Sequence, residues 1–497
     1  MISLWHGLPA RVSGVAVREA SIPEFSPAPC RSHGLEAHAT GKLATIAVGV
    51  FLLLWLPAAI LSRGFPEADG YSHYLCARFA FQIPSNFTDV WARPLCTALY
   101  AIPAVLVGRF GVCCISALAA IGCGIVSLQL ARVQKDRVPI LALIFTLAQP
   151  VLFVHSLSAM TELPFALLLG MAFLAFCRER WGIAAALAAL LPLARPEGFG
   201  FVLIAAAALA YRRKFPWLAV LPLPLLAWDA GGWLMHGRAG PWWHWLASQW
   251  PYSAQSMYGR GSWLTFVAEL PIVVSPVILP ATLLGIWRSA KSPGHFRLAG
   301  AMVPIFVLLV HTVLYATGKL GSYGEPRYLL VASPFWGVLS ARGWEWCFAR
   351  LRWKRPLRWG VVAALTPVLL NAIHPAVPLQ PPADCVMAQR VADWYAADGV
   401  RRYPHILCSH MAVFYSLGIS PRDAMVRDWD RKTILHLPAG TILIWDPKYG
   451  PLNASADRAA TLQEIRDAGW IEDPQAAPLR EAPAPGWHLF HSEPEGN

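Results

Sequence analysis

The sequence predicts an all-α polytopic membrane protein of about eleven transmembrane helices that ends in a small extracytoplasmic α/β domain. Three observations carry this expectation. Only 14% of the 497 residues are charged, where a soluble domain has about 25%. The mean hydropathy is +0.45, and the apolar residues fall in runs close to the roughly 20 residues that a spanning helix needs. Beyond His374 the runs stop, and short apolar strands alternate with amphipathic stretches, the pattern of a small α/β fold.

The expected spans are 43–61, 111–131, 138–154, 163–177, 182–196, 198–211, 216–232, 263–286, 298–315, 328–341 and 360–374. Residues 1–42 precede them as a polar cytoplasmic segment. The run 43–61 is too long for a cleavable signal and reads as an uncleaved first span. Residues 62–110 form a long outer loop. Its semi-apolar stretch "PLCTALYAIPAVLVGRFG" contains Pro103 and is expected to lie in the interface rather than add a twelfth span. Loop charge sets the orientation: "RVQKDR", "RERW", "RRK", "RSAKSPGHFR" and "RGWEWCFARLRWKRPLRW" together hold 17 Lys or Arg, which places them in the cytoplasm. Eleven spans then put the C-terminus outside. The expected location is the bacterial inner (plasma) membrane, N-terminus cytoplasmic. The net charge of +12 is accounted for by these loops, so no nucleic-acid partner is expected.

Residues 43–374 are thus the membrane domain, and 375–497, after the linker "HPAVPLQPP", the outer domain. In the latter a helix is expected at Asp384–Ala397, strands at His405–Ser409, Thr441–Asp446 and Trp487–His491, and a helix near 459–469. The ten cysteines show no metal-ligand spacing; Cys76 with Cys96, and Cys385 with Cys408, are candidate pairs in an oxidising compartment. Asn86 and Asn453 fit the glycosylation sequon.

Charges near membrane depth are costly and mark candidate functional sites. Here they collect at the outer ends of the spans: Glu67 and Asp69 in "FPEADGYSHY", Glu162 in "SAMTELP", Arg195 and Glu197 in "ARPEG", and Lys319, Glu325 and Arg327 in "GKLGSYGEPRYL". Each has a plainer reading. Glu162 fits a helix-start acid, as does Asp69, and Arg195 and Arg327 fit interfacial anchors. His73, His155 and His311 fit packed or solvated histidines. Gathered on one surface, the two signs suit a lipid-phosphate substrate. Arg or Lys holds the phosphate, and a carboxylate takes a proton from an attacking hydroxyl. A transporter would place polar groups at mid-membrane, where only Asp229 and His311 come near. A transporter or flippase of lipid-linked saccharides and a non-catalytic scaffold are the alternatives.

The order and spacing of "EADGYSHYLCARFA", "RPLCTAL", "SAMTELPFALLL", "LARPEGFGF" and "GEPRYLLVASPF" resemble the C-type superfamily of membrane glycosyltransferases. These enzymes use polyprenyl-phosphate sugars; the mannosyltransferase and aminoarabinose-transferase relatives are the most similar. The resemblance covers about 43–374. It implies a polyprenyl-phosphate sugar donor, a lipid, glycan or protein acceptor, and membrane lipids as surroundings. It also implies Asp69, assisted by Glu67, as the catalytic acid pair, with Asp69 the base. Glu162, Arg195, Glu197, Lys319, Glu325, Arg327 and Tyr328 would contact substrate, with Arg327 and either Arg195 or Lys319 on the leaving phosphate. Transfer would invert the anomeric centre. Gly70 stands where many relatives carry a second acid. A divalent cation, Mg or Mn, is a possible cofactor at the paired acids.

Overall fold

The structure is a computed structural model that describes residues 31–252, 254–256, 258–291, 295–373, 375–436, 438–451, 460–473 and 486–492. The expected N-terminal segment up to residue 30 and the Asn453 sequon lie outside the described residues. The chain divides into two compact units, Met1–Leu43 and Ala44–Asn497, and the second holds every candidate site residue.

Helices occupy each of the eleven expected span positions, but they are less regular than the hydropathy suggests. Among the described residues five are long and apolar enough to cross a membrane: Thr40–Leu61, Arg109–Val133, Phe215–Met235, Phe296–Thr317 and Pro356–Ile373. Arg109–Val133 is the most enclosed of the five, and the first span leaves Leu53 and Ile60 facing outward.

The departures have local causes. The expected span 138–154 breaks into Ile140–Leu147 and Pro150–His155, because Pro150 cannot donate to the preceding turn. The span 182–196 breaks into Trp181–Ala189 and Leu191–Ala194 ahead of Pro192. The expected single span 263–286 is two helices, Thr265–Val274 and Leu279–Ala290, bent by 107°. Ser275 between them has φ 81° and Pro276 follows. The stretch after 341, expected to be cytoplasmic, is largely helix to Arg350. In the long loop 62–110 a helix Ala68–Arg78, a short 3₁₀ turn and the apolar helix Pro94–Val107 follow one another.

The C-terminal portion is built on a four-stranded mixed sheet of β1 (His405–Cys408), β2 (Thr441–Trp445), β3 (Ile471–Glu472) and β4 (His488–His491), in the order β1-β2-β4-β3. β1 and β2 are parallel, with Ile406 opposite Ile442. β4 runs antiparallel to both β2 and β3. All of β2 is buried, as suits a central strand covered on both faces. Leu407, Leu443, Trp445, Ile465, Trp470 and Phe490 form the core around it. The two-residue β3 is too short to leave a hydropathy signal and adds to the three expected strands. The expected helix appears as Ala383–Trp394.

Candidate active site

Proline punctuation aims the charged side chains. Glu67 follows Pro66 and is extended (φ −144°, ψ 151°) at the N-cap of Ala68–Arg78. Asp69 lies in the first turn, where the helix dipole favours a carboxylate. Glu162 opens the helix Glu162–Cys177. Arg195 precedes Pro196, which excludes helical backbone there; it is extended (φ −159°, ψ 154°) and ends the helix Leu191–Ala194. Arg327 sits in the 3₁₀ turn that Pro326 opens.

These four elements bring their side chains into one network. Arg327 Nη2 lies 2.6 Å from Asp69 Oδ2, and its Nη1 contacts Glu67. Its Nε is 3.7 Å from Glu162. Arg195 Nη1 is 2.6 Å from the fully buried Glu162 and 3.0 Å from Thr161 Oγ1. Its Nη2 is 2.8 Å from Glu197. His155 Nε2 stands 3.4 Å from Glu67, and His311 Nε2 3.3 Å from Glu197. Tyr328 stacks on His311 at 5.0 Å and receives both guanidiniums over its ring, at 5.8 and 5.4 Å. Of the expected residues, Glu67, Asp69, Glu162, Arg195, Glu197, Arg327 and Tyr328 therefore meet. Glu325 is half-buried beside them, and its charge acts on Asp69. Lys319 does not join. It is exposed, its backbone bridges to Gln255, and no side-chain contact ties it to the network among the described residues.

Burial, then the charges of Glu162 and Glu325, push the Asp69 carboxyl up to about 6; Lys448 and Arg195 oppose the rise. A carboxylate with that affinity for protons is suited to act as a base near neutral pH. Burial and the Asp69 charge hold the hydroxyl of Tyr258 at about 12, so it stays a donor.

Several sequence expectations fail here. Asn86 is buried, donates to the Cys76 carbonyl at 3.1 Å and accepts from Arg422 at 2.9 Å, so that sequon is enclosed. Cys76, Cys96, Cys385 and Cys408 are all free thiols, which removes both candidate disulfides. The acids of the network do not converge as cation ligands; guanidiniums stand between them. Among the described residues the trio whose ligand atoms all lie within 4.8 Å is Asp384, Cys385 and His410. There His410 Nδ1 accepts from the Ala412 N–H at 3.3 Å, which leaves the ring proton on Nε2, facing Asp384 at 3.6 Å. The trio is thus an Asp–His pair, and neither place fits a metal as arranged.

Residues that sequence reasoning passed over are His155 and His311, which read as packing histidines; Lys448 and Tyr449 lie in "WDPKYGPLN", whose polar residues at a strand end suit ligand binding in such folds. The strand-end position of that stretch is the one signal available. A cavity of about 700 Å³ lies beside the helix Ala68–Arg78, lined by Arg63, Tyr71, Tyr74, Arg78, Cys385 and Tyr415 among others; the charged network does not line it.

No protein-family model matches the chain, and no curated protein matches it in sequence. Solved structures do. ArnT from Cupriavidus metallidurans superposes in its apo state with a TM-score of 0.62 at 14% identity, covering 91% of this chain and 98% of that one. The same protein bound to undecaprenyl phosphate gives 0.61 at 12% identity, with the same coverage. The archaeal oligosaccharyltransferase AglB from Archaeoglobus fulgidus, in complex with an inhibitory peptide and a dolichol-phosphate, gives 0.51 at 13% identity. It covers 79% of this chain, which spans 64% of AglB. At these identities the likeness is one of fold: the chain has the membrane-protein fold of ArnT and AglB, with apolar helices long enough to cross a membrane among its described residues.

Proposed function

We propose that the protein is a membrane glycosyltransferase that moves a sugar from a polyprenyl-phosphate donor to a lipid, glycan or protein acceptor at the outer face of the membrane. The observation that carries this reading is the contact of Asp69 with Arg327 at 2.6 Å, 258 positions apart in the chain, inside a network shared with Glu67, Glu162 and Arg195. The likeness in fold to a protein bound to undecaprenyl phosphate supports the donor class.

In this mechanism Asp69 accepts the proton of the acceptor hydroxyl. The hydroxyl oxygen attacks the anomeric carbon opposite the phosphate. The bond from that carbon to the phosphate oxygen breaks, and its electron pair leaves on the polyprenyl phosphate. The anomeric centre inverts. Arg327 holds Asp69 and Glu67 in place, and its charge favours the anionic leaving group. Glu162, out of solvent, fixes Arg195 and so the side of the site near Tyr328. No step passes through a metal.

The test is transfer from a panel of radiolabelled polyprenyl-phosphate sugars in membranes holding wild type or Asp69→Asn. The expected result is transfer by wild type and a loss of about 10²–10⁴-fold in the variant at equal expression. Full activity in the variant removes Asp69 as base. Movement of labelled lipid-linked sugar across vesicles with no new glycosidic bond makes the protein a transporter. Silent neutral swaps at Asp69, Glu162 and Arg327 leave a scaffold.

A further inference from the structure

The network has a shortage of free positive charge. Arg195 has Nε and Nη2 on Glu197 and Nη1 on Thr161 and Glu162. Arg327 has Nη1 on Glu67 and Nη2 on Asp69. Four carboxylates face two guanidiniums, so an incoming phosphate meets a site that is negative overall. The reaction proposed above needs a further cation, and Lys319 stands outside the network.

The turn that follows β2 supplies one. Asp446 is fully buried. Its Oδ1 accepts from the backbone N–H of Lys448 at 3.0 Å and of Tyr449 at 2.6 Å, and its Oδ2 from Ser409 at 3.2 Å. Gly450 closes the turn on the Asp446 carbonyl at 3.0 Å. A Cβ there would stand 2.5 Å from that oxygen and 2.6 Å from the Trp445 ring, so only glycine fits. The turn is rigid, but the Lys448 side chain on it is 54% exposed. Its ammonium lies 3.6 Å from Asp384 Oδ2, longer than a hydrogen bond, and makes no hydrogen bond among the described residues. The same Asp384 oxygen also faces His410 Nε2 at 3.6 Å. Lys448 is therefore steered but not saturated, with three donors to offer. Its charge reaches both Asp69 and Glu325. Tyr449 packs edge-on against His410 at 5.2 Å. Burial and the charges of Asp69 and Asp384 push its hydroxyl pKa up, so that it remains a donor.

We propose that Lys448 and the Tyr449 hydroxyl form a phosphate subsite that the C-terminal α/β portion contributes to the reaction site. The inference rests on the glycosyltransferase reading and names where the phosphate binds. Asp446 is its positioning residue, and Asp384 keeps the ammonium in place when the site is empty. The phosphate belongs either to the polyprenyl donor or to an acceptor headgroup.

The test uses the purified full-length protein in detergent. The measurements are the Kd of undecaprenyl phosphate and the KM values of donor and acceptor, for wild type, Lys448→Gln, Lys448→Arg and Asp446→Ala. A charge-assisted hydrogen bond predicts a loss of about 10- to 100-fold in Lys448→Gln at an unchanged melting temperature. Lys448→Arg is expected to retain most of the binding. A weakened Kd for undecaprenyl phosphate assigns the subsite to the donor. An unchanged Kd with a raised acceptor KM assigns it to the acceptor. If wild type binds and transfers while Lys448→Gln matches it in Kd and both KM values, the subsite is overturned alone. If wild type neither binds undecaprenyl phosphate nor transfers sugar, the subsite falls together with the proposed function. Asp446→Ala, which lets the turn swing, follows Lys448→Gln in binding; the circular dichroism of both variants shows whether the fold is kept.

Discussion

Arg195 and the solvent-free carboxylate of Glu162 lie 2.6 Å apart, and Glu162 has no access to water. Removing one member of such a pair leaves an uncompensated buried charge, which costs about 3–5 kcal/mol. Arg195→Leu is therefore expected to lower the melting temperature sharply in detergent. Arg195→Leu also strands Glu197, so the double variant Arg195→Leu with Glu162→Gln should recover the part of the loss that Glu162 causes and leave the part that Glu197 causes. A double-mutant cycle on thermal unfolding checks this; additive losses would mean that the two residues do not stabilise each other.

The pH profile follows from Asp69. The base works only as a carboxylate, so transfer should rise as pH climbs through about 6. The neighbours shift that limb in opposite directions. Glu325 is a like charge that raises the Asp69 value, so Glu325→Gln should move the acidic limb to lower pH. Lys448 lowers it, so Lys448→Gln should move the limb to higher pH. Steady-state rates between about pH 4.5 and 8.5 read both shifts. Two variants that move the limb the same way would place the titrating group elsewhere.

Gly70 stands where many members of the resembled superfamily carry an acid, and packing explains the glycine. A Cβ at this position would lie 3.0 Å from both Phe65 Cβ and Ser158 Oγ, and Phe65 is itself fully buried among Tyr71, Tyr74 and Tyr415. Gly70→Asp is expected to cost about 1–3 kcal/mol through overpacking and not to rescue Glu67→Gln. Thermal stability and transfer by the double variant check this. Recovery of activity would mean that the carboxylate can be supplied from either position.

The membrane fold was legible because hydropathy reports burial in lipid, and the acids and arginines at the span ends were legible because charge at membrane depth is rare. Proline and close packing hid the rest. Pro150 and Pro192 break runs that hydropathy shows as continuous, and the bend near Ser275 has no hydropathy signature. The pairing of Arg327 with Asp69 depends on how distant loops fold back, so the sequence could name both residues but not their contact. His155 and His311 looked like ordinary packing histidines because their carboxylate partners, Glu67 and Glu197, are far away in sequence. The stretch that holds Lys448 was legible as a strand-end position, but its neighbours were not, because they depend on where a separately patterned α/β portion presents its turn.

Arg422 ties that portion to the loop 62–110. Its guanidinium donates to Ser85 Oγ at 3.1 Å, Asn86 Oδ1 at 2.9 Å and Asp89 Oδ2 at 2.9 Å. The ion pair with Asp89 is partly exposed, at 46% and 20%, so water and salt screen it. A double-mutant cycle between Arg422→Ala and Asp89→Ala should give a coupling of about 0.2–1 kcal/mol. Asp89→Ala alone should cost more, because Asp89 Oδ1 also accepts from the backbone N–H groups of Trp91 and Ala92 at 2.9 Å each. Those bonds hold the turn in which Arg93 takes φ 71°, just before the apolar helix Pro94–Val107. Chemical or thermal unfolding of the two single variants separates the contributions. Equal losses from Arg422→Ala and Asp89→Ala would show that the ion pair, and not the turn, is what Asp89 provides.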